Sequence, residues 1–212
     1  QHMILCDALS DETGELHSRP IPNSTKIWKK QIGKGTFSLD GKGSLQVNAT
    51  VQSPNPGRTA YLSDWDHPDF AELEAEIMPP GKACGQSEAG RAGFIIMENP
   101  QRYLIVNTWL DDAYDGTSIS SFFQINGFEE LYDAVWTNIG RRITWGKPYR
   151  LRMSFDGIHY CVYIDDVPVL YRALTDIYPD ARPIQIKQVG LVANWEWGDD
   201  TGSNFRHFWA KI

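Results

Sequence analysis

Apolar and polar positions alternate along most of this chain, and almost nowhere do they recur at helical spacing. Ala71, Leu73, Ala75 and Ile77 interleave with Glu72, Glu74 and Glu76, which predicts a strand with one face in a core and the other in water, closed by Pro79-Pro80-Gly81. Strands are expected next over 91–97, 102–110 and 118–125, separated by Glu98-Asn99-Pro100 and by an acidic loop, and closed by Asn126-Gly127. Such short connections predict antiparallel hairpins. The same pattern predicts strands over 132–139, 149–155, 158–164, 168–171, 186–193 and 205–212. Asp156-Gly157 reads as a type I′ turn, because Gly accepts the positive φ that turn requires. Only 11–14, 128–132 and 173–178 suit short helical turns. About a dozen short strands with no helical half predict an all-β protein, a two-sheet antiparallel β-sandwich.

Composition narrows the class. With 42% hydrophobic residues in 212, the chain suffices for one large core, and no shift of composition marks a linker. A single domain is expected over 4–212, with Gln1-His2-Met3 read as a cloning scar and further modules of a larger protein as its expected neighbours. The net charge of −7 and the lack of basic clusters beyond Lys29-Lys30 and Arg141-Arg142 argue against nucleic acid and against an anionic membrane surface. No apolar run approaches the roughly 18 residues of a spanning helix. The three cysteines, Cys6, Cys84 and Cys161, lie far apart without a C-x-x-C pair, so no zinc ribbon or redox motif is present.

Eight tryptophans exceed what a core alone requires, and their surroundings suggest chemistry. In 103–116, Tyr103, Ile105, Asn107 and Trp109 share one strand face and Leu104, Val106 and Leu110 the other, before Asp111, Asp112 and Asp115 crowd the loop. Flat apolar plates beside planar hydrogen-bonding groups suit a sugar ring, whose C–H face stacks and whose hydroxyls need paired donors and acceptors. Tyr132, Trp136 and Asn138 share a face of their segment, Arg141 follows, and Trp195 and Trp197 lead into another acidic loop. Tyr103, Asn107, Trp109, Asp111, Asp112, Asp115, Tyr132, Trp136, Asn138, Arg141, Trp195 and Trp197 are the candidate ligand-binding set, with the loop after Trp109 expected to meet the Trp136 strand at one rim. Trp109 itself stays open between core and site. Trp28, Trp145 and Trp209 read as core or sheet-edge packing.

The order FAELEAEIMPPG, RAGFIIMENPQRYLIVN, YRLRMSFDGIHYCVYIDDVPVL, VGLVANWEWGD and FRHFWAKI, after an N-terminal CDALSDETGELHSRPIPNSTKIWKK, resembles concanavalin A-like lectin/glucanase (laminin G-like) domains. The resemblance covers nearly the whole chain. It implies a jelly-roll sandwich that binds or acts on carbohydrate at one sheet face or its rim, in an extracellular or periplasmic setting. Members include sugar-binding modules, glycoside hydrolases, polysaccharide lyases and adhesive domains. Residues 117–150 match no general pattern of the family and are expected to hold what is particular to this protein.

Glu74 and Glu76 are the candidate catalytic pair, since retaining glycosidases need carboxyls about 5–5.5 Å apart and i, i+2 positions on a strand face come near that. The strand departs from the family's E-x-D-x-x-E pattern, with Pro79 three residues beyond Glu76. A lyase base would come from Tyr103, Tyr132 or His159 beside Arg91, Arg102, Arg141 or Arg142. Asp111 to Gly116 imitates half of an EF-hand loop, but Ala113 and Phe122 stand where ligands belong. The resemblance implies a structural Ca²⁺ near Asp7 as the one cofactor to consider, although Arg206 stands where an acidic partner is usual. The leading expectation is a non-catalytic carbohydrate-binding module; a hydrolase or lyase of the same fold is the alternative, and a protein-binding or structural domain the third reading.

Overall fold

In the computed structural model, residues 3–10, 12–48, 57–79, 90–111, 116–125, 128–131, 137–140, 142–195 and 203–212 are described, with the backbone alone at 47–48, 57, 90, 109, 111, 116–125, 128–131 and 194–195. The chain opens with β1 (Met3–Asp7), β2 (Thr13–Glu15), β3 (Lys29–Ile32), β4 (Thr36–Asp40), β5 (Leu45–Asn48) and β6 (Gly57–Asp64). Next come β7 (Glu72–Met78), β8 (Gly90–Asn99), β9 (Arg102–Asp111), β10 (Gly116–Ile125), β11 (Phe128–Leu131) and β12 (Thr137–Gly140). It ends with β13 (Tyr149–Phe155), β14 (His159–Ile164), β15 (Val167–Ala173), α1 (Leu174–Ile177), β16 (Gln188–Trp195) and β17 (Asn204–Lys211).

Two antiparallel sheets result. One is nine-stranded, in the order β15-β14-β13-β7-β17-β5-β4-β2 with β1 on β17, and the other is eight-stranded, β11-β10-β9-β8-β16-β6-β3 with β12 on β10. Alternation puts Leu73, Ala75 and Ile77 of β7 opposite Phe94, Ile96, Leu104, Val106 and Leu191 of the other sheet, so both apolar faces share one core. Trp28 is fully buried there, edge-on to Phe208 at 5.1 Å, with its indole N–H on Asp7 Oδ2 at 2.9 Å. The β-sandwich predicted from alternation is therefore what the chain forms.

Local chemistry corrects several details. Residues 13–15 and 128–131 are strands rather than helical turns. Of the three expected turns, only 173–178 holds a helix, where Asp176 accepts the Ala173 N–H at 2.9 Å. At Asp156-Gly157 only Gly157 has positive φ, and the Asp156 carboxylate instead receives the N–H groups of Ile158 and His159. The two-residue turn with both φ positive lies at Asp165 (49°) and Asp166 (66°), between the paired Ile164 and Val167. Aspartate tolerates that region better than most residues, and Asp165 accepts the Arg150 N–H while Asp166 pairs with the Arg150 guanidinium at 2.7 Å.

Candidate functional site

The eight-stranded sheet carries a second apolar cluster on the face turned away from the core. Ala60, Leu62, Ile95, Met97, Tyr103, Ile105 and Val192 form it, with Ile32 packed alongside. Register turns this face into four cross-strand rows. Asp64, Gln188, Met97, Tyr103 and Gln124 make the first, and Leu62, Gly190, Ile95, Ile105 and Phe122 the second. Ala60, Val192, Gly93, Asn107 and Ser120 make the third. The fourth runs Arg58, Asn194, Arg91, Trp109, Ser118 and Asn138, crossing six strands at one end of the sheet. Hydrophobic pairs thus fill the middle of the face, and a polar row with one aromatic position marks its rim.

Several connections of the chain meet at this rim. The connections 49–56, 80–89, 112–115 and 196–202 all start from or lead into this end of β6, β8, β9, β10 and β16, and they lie outside the described residues. Behind the rim, on the core side, Tyr149 of β13 and Thr108 of β9 join their hydroxyls across the two sheets, and Thr108 Oγ1 donates onward to Ala92 O at 3.1 Å. Burial pushes the Tyr149 phenol far above its usual value, the Thr108 hydrogen bond offsetting only part of that, so it stays a neutral donor. Thr108→Val strands that donor and is expected to lower the unfolding free energy by about 1–3 kcal/mol in urea titration. Adding Tyr149→Phe should then recover most of the loss; no recovery would deny the pair.

The predicted site residues divide along the strands. Trp109 and Asn138 fall in one row with Ser118 between them, since β10 pairs with β9 on one side and with β12 on the other. Asn138 is exposed, its Oδ1 accepting the Gly140 N–H at 2.7 Å. Asn107 sits one row inward, 3% exposed, donating to Thr108 O. Asp111 takes the outer-face register position just beyond Trp109. Tyr103 is six residues away along β9, roughly 20 Å, and buried in the apolar cluster, so it does not join them. Trp195 pairs with Gly57 in the register of the core-side residues Leu191 and Ala193. Asp112, Asp115, Tyr132, Trp136, Arg141 and Trp197 lie outside the described residues. Arg58 was absent from the candidate set, although Arg58, Ala60, Leu62 and Asp64 alternate with Thr59, Tyr61 and Ser63 and so announced the strand.

Glu74 and Glu76 occupy the outer face of the other sheet, within a charge ladder. Glu76 pairs with Arg206, Glu74 accepts the Trp209 indole N–H at 2.9 Å, and Glu72 bridges Arg152 at 2.7 Å and Lys211 at 2.9 Å. Burial raises the Glu72 carboxyl, but its two cations more than offset this and hold it below the usual range. His159 also belongs to that sheet, bonded to Asp156 and stacked on Tyr171, away from Arg91 and Arg102. Asp7 gives one oxygen to the Leu9 N–H and the other to Trp28. Arg206 sits on Glu76, and no group of three His, Cys, Asp or Glu suited to a metal converges among the described residues.

The other end of the eight-stranded sheet opens into a cleft of about 720 Å³, lined among others by Asp64, Trp65, His67, Asn99, Ile186 and Gln188. None of the predicted site residues lines it. Lys29 holds Asp64, Lys26 holds Asp66 and Arg182 holds Glu98, so its carboxylates stand in ion pairs.

No family model matches the chain, and no curated protein matches it in sequence. Solved structures do resemble it. A glycosyl hydrolase family protein from Mycobacterium fortuitum matches at a TM-score of 0.61 and 17% identity over 100% of both chains. The carbohydrate-binding module CBM66 from Bacillus subtilis matches at 0.53 and 17% identity, over 87% of this chain and 95% of that one. The GH43 protein BlXynB from Bacillus licheniformis matches at 0.58 and 12% identity, over 97% of this chain but 38% of its own. At such identities the likeness concerns architecture alone, and with two antiparallel sheets about one core it identifies the chain's fold as a concanavalin A-like β-sandwich.

Proposed function

We propose that this chain binds a poly- or oligosaccharide at the rim of its eight-stranded sheet without cleaving it. The observation that carries this reading is the row Arg58, Asn194, Arg91, Trp109, Ser118 and Asn138, which brings amide, guanidinium, hydroxyl and indole residues to one register across six strands. An indole offers a sugar its C–H stacking surface, and the planar polar groups satisfy neighbouring hydroxyls in pairs. Asp111, Asp112, Asp115, Trp136 and Arg141 belong to this reading as further hydroxyl or stacking partners. Names of the structural neighbours support a sugar ligand, since one is a carbohydrate-binding module and others are glycosyl hydrolases.

Binding is favoured over hydrolysis by the carboxylates: Glu74 and Glu76 are hydrogen-bonded to Trp209 and Arg206. A hydrolase of the same fold is the second reading, motivated by the full-length likeness to the Mycobacterium fortuitum protein. A place within a larger enzyme accords with BlXynB, of which the match covers 38%. No helix among the described residues is long and apolar enough to cross a membrane.

A glycan array followed by pull-down on insoluble polysaccharides tests the reading. Binding is expected to weaken at least about thirtyfold in Trp109→Ala, the loss typical of an aromatic hot spot, and several-fold in Asn138→Ala. Absence of binding to every glycan, or wild-type affinity in Trp109→Ala, would sink it. Reducing-end release that disappears in Glu74→Gln or Glu76→Gln would transfer the case to the hydrolase.

A further inference from the structure

We propose that the cleft at the other end of the eight-stranded sheet is a second carbohydrate site, one that takes a short neutral oligosaccharide. It shares with the rim reading the class of ligand and no residue. The cleft of about 720 Å³ adjoins another of about 410 Å³, and Trp65, His67, Pro68, Ile186 and Lys187 line both, so one trough runs past them. Clefts of roughly 300–1,000 Å³ are the usual size of small-ligand sites. Hydrogen bonds tie the walls to one another. The Trp65 N–H donates to Lys187 O at 2.8 Å, the Lys187 N–H to Met97 O at 3.0 Å and the Gln185 N–H to Glu98 Oε1 at 2.9 Å. Trp65 is 2% exposed, with its indole N–H on Asp69 O at 3.0 Å and its ring edge-on to Phe70. Walls held in this way stand before the ligand arrives, which lowers the ordering cost of binding.

The polar groups along the trough select the ligand class. Gln188 Nε2 donates to Asp64 Oδ1 at 2.9 Å, which leaves its Oε1, and Asn99 Oδ1 accepts the Gln101 N–H at 2.8 Å, which leaves its Nδ2. Both contacts of the His67 ring with Asp69 pass through Nδ1, which leaves Nε2. Among the described residues, the Lys187 ammonium and the Gln185 amide have no partner in the fold. Donors and acceptors therefore stand side by side, and a sugar hydroxyl, which both donates and accepts, matches that mixture. Pro68, Pro100 and Ile186 add apolar surface for the C–H groups of the ring. An anion would meet Asp64, Asp66 and Glu98 in one cleft and Asp69 and Asp156 in the other. A cation would compete with Lys29, Lys26 and Arg182, which already hold the first three. From Gln188 to Asn194 in the rim row β16 runs six residues, roughly 20 Å, so one long glycan chain can reach both sites and gain avidity.

The test is amide NMR titration of the full chain with xylotriose, cellotriose, maltotriose and kestose, and with trigalacturonate as the acidic comparison. At least one neutral trisaccharide is expected to shift the amides of 64–67 and 185–188 at concentrations up to about 10 mM. Lys187→Ala and Gln185→Ala remove side chains that the fold does not use. Each should weaken that binding roughly two- to tenfold with unchanged Tm, and the double variant more. Trp109→Ala should leave it as it is, because the rim lies at the far end of the sheet. Shifts confined to the rim and lost in Trp109→Ala overturn the trough and leave the rim standing. Trough shifts in a chain whose rim binds nothing support the trough and remove the rim. No trough shift with any of the neutral trisaccharides, or tighter binding there of trigalacturonate, overturns the proposal.

Discussion

Glu98→Ala is expected to lower the unfolding free energy by about 3 kcal/mol, a fall in Tm of roughly 6–12 °C for a chain of this size. The Glu98 carboxylate is 13% exposed and joins three segments. Arg182 bonds it through both terminal nitrogens at 3.2 and 3.1 Å, the Gln185 N–H donates at 2.9 Å, and Arg102 Nε approaches to 3.5 Å. Arg102, 5% exposed, also donates to the Arg182 carbonyl. Removing the carboxylate takes the acidic neighbour from the buried Arg102, while the Arg182 guanidinium, 60% exposed, keeps its water. As a control, Glu12→Ala breaks a pair whose acid is 74% exposed and should cost less than about 1 kcal/mol.

The same carboxylate makes stability depend on acid. Burial raises its pKa, but the Arg182 and Gln185 hydrogen bonds and the charges of Arg182 and Arg102 outweigh that and hold it below the ordinary glutamate value. A carboxyl with a depressed folded pKa contributes fully above its unfolded pKa of about 4.3 and loses the contribution as pH falls through the folded one. Denaturant titrations from pH 6 downward should therefore show Glu98→Gln and wild type converging in acid. Parallel curves would deny the linkage.

Gly93→Ala is the second large effect, about 3 kcal/mol or more. A Cβ at Gly93 would lie 2.1 Å from the Val106 carbonyl oxygen and 2.5 Å from Asn107 Cα, both backbone atoms of the neighbouring strand. No rotamer relieves that contact, so β8 and β9 must part beside the row that holds Arg91 and Trp109. Loss of glycan binding is expected together with the loss of stability. Gly43→Ala meets no atom within 4 Å and should cost only the strain of its positive φ, about 1 kcal/mol. Equal Tm values for Gly93→Ala and Gly43→Ala would show that the strands tolerate a side chain there.

Much of the architecture was legible because period-two alternation is a local property. Leu104, Val106 and Leu110 separate from Tyr103 and Ile105 by strand geometry alone, and the structure puts the first three in the main core and the last two in the outer cluster. The turns at 156–157 and 165–166 were less legible, since the Asp156 carboxylate acts beside Gly157 in the first, and two aspartates and an ion pair decide the second without glycine. Residues 128–131 were misread for another reason: FEEL has no alternation of its own, and its strand exists by pairing with 122–125.

The candidate site shows the same division. Sequence alone established that Asn107, Trp109 and Tyr103 share a face, that the chain is aromatic-rich and acidic, and that alternating strands would close into a sandwich. Tertiary structure alone decided that Tyr103 lies in an apolar patch far from Trp109, and that Glu74 and Glu76 sit on the other sheet among cations. It also brought Arg58, Arg91 and Asn138, from segments up to 80 residues apart in number, into one row with Trp109. The physical reason is that a strand's two faces follow from consecutive residues, whereas its neighbours and their register follow from hydrogen bonds between distant segments, fixed only when the whole sheet closes on its core.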